Sequence, residues 1–173
     1  MPGESQTVVQ DPAKTLDGLS YFIDPPHLTQ PVLRPVLDYW EEKRSGRKLP
    51  LRSDIDPLEL KAYLPHLFLI DALPGAEFRY RVVGGEITER YGRNSTGKTV
   101  REVYAGFPLI ADWLTDMMLA VTRLARPVLA SGPLTAIGKE HVLSEALHLP
   151  LADAAGSIKQ IFGATCYRTR RHG

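Results

Sequence analysis

A chain of 173 residues with 43% hydrophobic content can bury one genuine core, and nothing in it demands a second domain. Its 21 basic and 20 acidic residues leave a net charge of +1, which gives no global electrostatic reason to expect nucleic acid or an acidic membrane as partner. The one cysteine, Cys166, excludes an internal disulfide, no apolar run approaches the ~18 residues of a transmembrane segment, and no secretory signal opens the chain, so a cytoplasmic location is expected.

Residues 1–30 are rich in Pro, Gln, Asp and Ser without a sustained period and are expected to form a loosely ordered arm, anchored only at Tyr21-Phe22-Ile23. From Pro31 a helix is predicted, because Leu33, Val36, Leu37, Trp40 and Arg44 recur at three- and four-residue steps and Gly46 is placed to stop it. Arg52 and Asp54 are expected to fix the following turn as a salt bridge. Asp56 then reads as the N-cap of a second helix, with Pro57 at its first position and Glu59 closing a capping box, and that helix must end before Pro65. The apolar run Leu67 to Leu73, the Pro74-Gly75 turn and the alternating run Phe78 to Gly84 predict a β-hairpin. In the second strand Phe78, Tyr80 and Val82 should share one face, with Arg79 and Arg81 on the other.

Glu86 to Tyr91 reads as one or two helical turns, and Thr99 with Glu102 as a capped turn running through Tyr104. Pro108 to Ala125 carries the clearest helical pattern, with Ile110, Trp113, Leu114, Met117, Val121 and Leu124 on one stripe, and Pro127 ends it. Three further strands follow: Val128 to Leu134, His141 to Leu149 and Ser157 to Tyr167. The tail 169–173, with Arg170 and Arg171 next to Arg168, reads as a solvated basic chain end.

Gly92 to Thr99, GRNSTGKT, matches the phosphate-binding loop G-x-x-x-x-G-K-[ST], whose backbone N–H groups and Lys cradle phosphates. That loop works only between a buried parallel strand and a long helix, which sets the phosphates on the helix N-terminus. The charged run before Gly92 and the break at Gly106-Phe107-Pro108 supply neither, so a turn-forming connector is the expected reading. His27, His66, His141, His148 and His172 show no metal-ligand spacing. Asp54 and Asp56 could in principle share acid and base work, but their places at a turn and a helix cap account for both. Tyr80, Tyr104, Trp113, Met117, Met118 and His148 are the best candidates to line a ligand pocket, because an inward Tyr hydroxyl or His ring needs a hydrogen-bond partner that a bound molecule can supply.

Trp40, Arg44, Gly46, Leu49-Pro50, Arg52, Asp54, Asp56-Pro57, Leu64-Pro65, Tyr91-Gly92, Thr96-Gly97 and Leu149-Pro150-Leu151, in this order of elements, resemble a bacterial family of small PAS-type sensor domains over roughly residues 32 to 168. The resemblance implies an α+β fold, a five-stranded antiparallel sheet with helices over one face and a pocket between them, preceded by a helical extension that often mediates dimer contacts. Residues 31–168 would form that domain. The long helix holds no His where PAS haem sensors usually carry one, and Cys166 lies on a strand, unlike the cysteine of flavin-binding light sensors; the cofactor is unassigned. The expected role is a stand-alone sensory or adaptor domain, not an enzyme. A small-molecule ligand, a partner signalling protein and a homodimer built on the first helix are expected; a cofactor-free enzyme, a phosphate-loop nucleotide binder through Gly92 to Thr99 and a structural partner-binding domain are the alternatives.

Overall fold

The computed structural model describes residues 12, 14–25 and 28–171. Among these residues seven strands, β1 (Lys14–Leu16), β2 (Leu19–Ile23), β3 (Leu67–Leu73), β4 (Glu77–Val83), β5 (Val128–Leu134), β6 (Lys139–Ala152) and β7 (Ile158–Thr169), form one sheet. Their order is β1-β2-β5-β6-β7-β3-β4, and every pairing is antiparallel. The helices are α1 (Leu33–Arg44), α2 (Gly85–Tyr91), α3 (Val100–Val103) and α4 (Pro108–Leu124). This is the expected α+β class with two strands more than the predicted five. The extra pair lies in the segment expected to be a loose arm: Asp17 and Gly18 take positive φ values of 46° and 82°, the backbone of a tight two-residue hairpin turn. That turn folds β1 onto β2, and β2 pairs with β5 from Ser20 to Ile23. The parts of the predicted arm at 1–11, 13, 26 and 27, and the tail residues 172 and 173, lie outside the described residues.

Both faces of the sheet are covered. Leu147, Leu149, Phe162, Ala164 and Cys166 face α1 and the segment after it, while Phe68, Ile70, Ala146, His148 and Ile161 face α4 and its neighbours. Strands buried on both sides carry apolar residues at odd and even positions alike. The helix preceding the core therefore covers its own sheet: Leu33, Val36, Tyr39 and Trp40 are buried in that outer layer. This removes the reason for expecting a homodimer through the stripe of α1, since the stripe is already occupied.

Ser45 and Gly46, with φ of 50° and 78°, close α1. The turn beyond it is held differently from the expectation. Asp54 pairs with Arg47 at 2.6 Å and accepts the Leu51 N–H at 2.7 Å, while Arg52 donates to the Ile55 carbonyl at 3.2 Å. The predicted Arg52–Asp54 salt bridge is thus replaced by one with Arg47, which the chain reversal at Gly46 brings alongside. The Leu51 N–H, followed by Arg47, holds the Asp54 carboxyl below the usual carboxylate range. Asp56 caps the next segment as expected, accepting from the Leu58 N–H at 2.9 Å, and the Tyr39 hydroxyl accepts the Asp56 N–H at 2.9 Å. Pro57–His66 is 3-10 rather than α-helical, interrupted at Leu60, and runs through Pro65. Glu59 does not close a capping box; it pairs with Lys43 of α1 at 2.8 Å.

The hairpin β3–β4 forms where predicted, with one correction. The register slips between Leu69 and Ile70, so that Leu69 faces Val82 and Ile70 faces Tyr80, leaving Arg81 as an extra residue. A bulge of this kind exchanges the faces beyond it. Phe78 and Tyr80 look inward, but Val82 is 52% exposed and Val83 takes its place beside the cavity. Among the described residues no helix is long and apolar enough to cross a membrane.

Candidate ligand cavity

Between the inner face of the sheet and the layer of α2, α3 and α4 lies a cavity of about 150 Å³. Its floor is the sheet: Phe68 and Ile70 of β3, Ala146 and His148 of β6, and Thr165 and Tyr167 of β7. Alternation along β7 puts Ile161, Gly163, Thr165 and Tyr167 on this side. Its roof is α4, which presents Ile110, Leu114 and Met118 at four-residue steps with Trp113 beside them. Asp17 and Leu19 of the β1–β2 hairpin border it as well.

Five of the six pocket candidates predicted from the sequence border this cavity: Tyr80, Tyr104, Trp113, Met118 and His148. Met117 does not. It is fully buried in the core one position away from the lining row of α4, to which its neighbour Met118 belongs. Arg52, Asp54 and Asp56 are not among the lining residues. Tyr91, Ser95, Ser144, Thr165 and Tyr167 border the cavity and were not predicted. The signal for the last two was the alternation of β7, which could not say which of two apolar faces held the space.

Tyr80 of β4, Tyr91 of α2, Tyr104 after α3 and Tyr167 of β7 gather at the cavity. Burial raises all four phenol pKa values, and the Tyr91 and Tyr104 hydroxyls are hydrogen-bonded to each other. All four therefore keep their protons at neutral pH. The Tyr167 hydroxyl and the indole N–H of Trp113 are buried without a hydrogen-bond partner among the described residues. Arg90 lies over the Tyr167 ring, 5.6 Å from its centre, and is itself paired with Glu86 at 3.1 Å.

His148 sits on the floor with its ring 5.0 Å from that of Phe68. Both residues are opposite Gly163, one from each side. A Cβ at Gly163 would overlap the Leu147 carbonyl oxygen and the tip of Phe68, so only glycine lets the two rings meet there. The His148 Nδ1 lies 3.1 Å from the Ala146 carbonyl oxygen. Burial lowers the His148 pKa to about 4, against the smaller opposing pull of the Ala146 and Val128 carbonyls.

The loop Gly92 to Thr99 follows a helix and precedes one of four residues. Gly97 donates to the Tyr80 carbonyl at 2.6 Å, the Tyr80 N–H to the Lys98 carbonyl at 3.0 Å, and Thr99 with Glu102 forms the predicted capping box. The segment is thereby stitched to the edge of β4, with Lys98 exposed. It has neither the parallel strand nor the long helix of a phosphate-binding loop. Asp71, which follows the apolar run of β3, is clamped by Gln160 at 2.9 Å, Arg79 at 3.3 Å and Arg81 at 3.4 Å. Burial works to raise its pKa, but these three partners outweigh it and the net shift is downward. Among the described residues no group of three His, Cys, Asp or Glu side chains is placed to hold a metal ion.

A family model described as a PAS domain matches residues 28–166. The chain belongs to the PAS domain family. Among solved structures, the PAS domain of Bordetella pertussis BvgS is similar with a TM-score of 0.52 and 20% identity, over 68% of this chain and 90% of that one. A sensory box sensor histidine kinase of Vibrio cholerae gives a TM-score of 0.48 at 16% identity, over 66% of this chain and 90% of that one. An RNA-binding light-oxygen-voltage receptor gives 0.48 at 11% identity, over 90% of this chain and 39% of that one. At these identities the likeness is one of fold. No curated protein matches the sequence. PAS domains are in general sensory and signal-transduction modules.

The buried His148 of this PAS domain makes its stability fall with acid. The unfolded chain takes up a proton near 6.5, whereas the folded one resists until about 4, so the contribution is intact above 6.5 and is lost as the pH falls toward 4. Between pH 7 and 4 the loss from this residue is on the order of 3 kcal/mol. Denaturant titrations across that range should show a smaller acid loss for His148→Phe, which keeps a ring against Phe68 but cannot be protonated. Parallel profiles for the two proteins would place the acid sensitivity elsewhere.

Proposed function

We propose that this PAS domain is a sensory or adaptor module that takes a small molecule into the cavity beneath α4 and passes its signal on by contact with a partner protein. The observation that carries the reading is the cavity itself. Protein interiors are close-packed, yet here a space of about 150 Å³ is surrounded by aromatic rings and a few convergent hydroxyl groups, the composition of a small-ligand site. A purely structural domain would fill that space with side chains. The lining groups also favour binding over catalysis. The four tyrosines hold their protons firmly and His148 is a weak base, so none of these five is poised near neutral pH for proton transfer.

Native mass spectrometry of the purified protein, followed by denaturation, tests this. A small organic compound released only on denaturation is the expected result. A bare chain that no compound of a single-ring library stabilises or shifts in mass would reduce the domain to a scaffold.

A further inference from the structure

The chemistry of the cavity wall specifies its occupant more narrowly, on the premise that the cavity binds a ligand at all. Size is the first constraint. A cavity of about 150 Å³ matches one that takes up a benzene-sized guest, so the occupant is built on one ring. Charge is the second. Among the described residues no Lys or Arg borders the cavity, and the one carboxylate that does, Asp17, sits at the β1–β2 turn. His148 is held neutral by its burial. Arg90, the cation beside Tyr167, is engaged by Glu86. An anionic ligand would give up its hydration with no opposite charge to meet it.

Hydrogen bonding is the third constraint and separates neutral from cationic guests. The indole N–H of Trp113 is a donor only, and among the described residues it is buried without a partner, as is the Tyr167 hydroxyl. The other tyrosine hydroxyls cluster near Tyr167, with Tyr91 and Tyr104 already bonded to one another. The two buried donors of Trp113 and Tyr167 call for an acceptor on the occupant. A quaternary ammonium could rest against the aromatic faces, but it brings none.

We propose that the cavity binds an uncharged single-ring molecule whose carbonyl or ring-nitrogen acceptor is held by the Tyr167 hydroxyl. The ring lies between the aliphatic row of α4 and the Phe68–His148 floor, and the acceptor turns toward the tyrosine cluster.

Four probes of similar size separate the possibilities: acetophenone, cumene, benzoate and phenyltrimethylammonium, titrated calorimetrically into wild type and Tyr167→Phe. Acetophenone should bind most tightly, and benzoate weaker by roughly a hundredfold or more. Tyr167→Phe should weaken acetophenone by roughly tenfold, the worth of one hydrogen bond, while leaving cumene unchanged. The same variant should melt no lower than wild type without ligand, because the hydroxyl it removes has no partner among the described residues. Tighter binding of benzoate or of the ammonium, or an acetophenone affinity indifferent to Tyr167→Phe, would overturn the proposal while leaving a ligand-binding cavity in place. Failure of all four probes would overturn the cavity reading and the proposal together.

Discussion

Trp40→Ala should lower the stability of the domain by about 3 to 5 kcal/mol, the usual cost of removing a large buried aromatic side chain. Trp40 is 1% exposed and packs among Leu33, Val36, Leu149 and Leu151 in the outer core. The indole also donates to the Pro150 carbonyl at 3.0 Å. That bond has a particular place in the sheet. β6 pairs with β5 only as far as His148, while its pairing with β7 continues to Ala152. Beyond His148 one edge of β6 is therefore free of a neighbouring strand, which is where a strand tolerates proline. Trp40 takes the Pro150 carbonyl on that edge, and the Pro50 carbonyl accepts the Ala152 N–H at 3.0 Å. Alanine would leave a void in the layer and a buried carbonyl without its donor. Urea titration of the wild type and variant measures the difference. A change below about 1 kcal/mol, the range of ordinary surface substitutions, would show that α1 is not packed on the sheet as described.

Gly163→Ala should be nearly as damaging despite adding one methyl group. The residue stands in the middle of the sheet between β3 and β6, and its missing side chain is the space into which the Phe68 ring leans. A methyl there collides with the Leu147 backbone, which cannot swing aside as a side-chain tip can. Overpacking of this kind costs typically 1 to 3 kcal/mol, and the backbone clash places this site at or above the top of that range. The same substitution should separate the Phe68 and His148 rings and so deform the cavity floor. Combined melting and probe titration checks both effects. An unchanged melting temperature with unchanged acetophenone binding would mean that β7 is free to shift at this point.

How much of this was legible in the sequence varied with the range of the interaction that decided it. The α4 stripe, the Thr99–Glu102 cap and the hairpin turn at Pro74-Gly75 are written in neighbouring residues, and the structure has them. The Asp17-Gly18 turn is just as local, but its strands are three and five residues long and sit within a polar, proline-containing segment that masked them. The bulge at Arg81 cannot be read from β4 alone, because it is a mismatch with β3, and it sent Val82 outward. Asp54 was correctly placed in a turn but given the wrong arginine, since the reversal at Gly46 that delivers Arg47 is a matter of three-dimensional path. For the cavity, aromatic and sulfur residues pointed to the right region. Met117 and Met118 are adjacent, and only the rotation of α4 against the sheet decides which one borders the space.

The alternation of β7 makes the sheet a partition with no thickness to spare. Thr165 and Tyr167 border the cavity, while Ala164 and Cys166, the residues between and before them, rest in the layer that holds α1. A single peptide bond separates a wall of one chamber from a wall of the other. Pressure on Tyr167 from an occupant could not be absorbed on one side only, because the strand that yields is also the bed on which α1 lies. The far surface of the molecule would register what the near chamber contains with no moving arm or hinge between them, much as a drumhead struck on one side moves the air on the other.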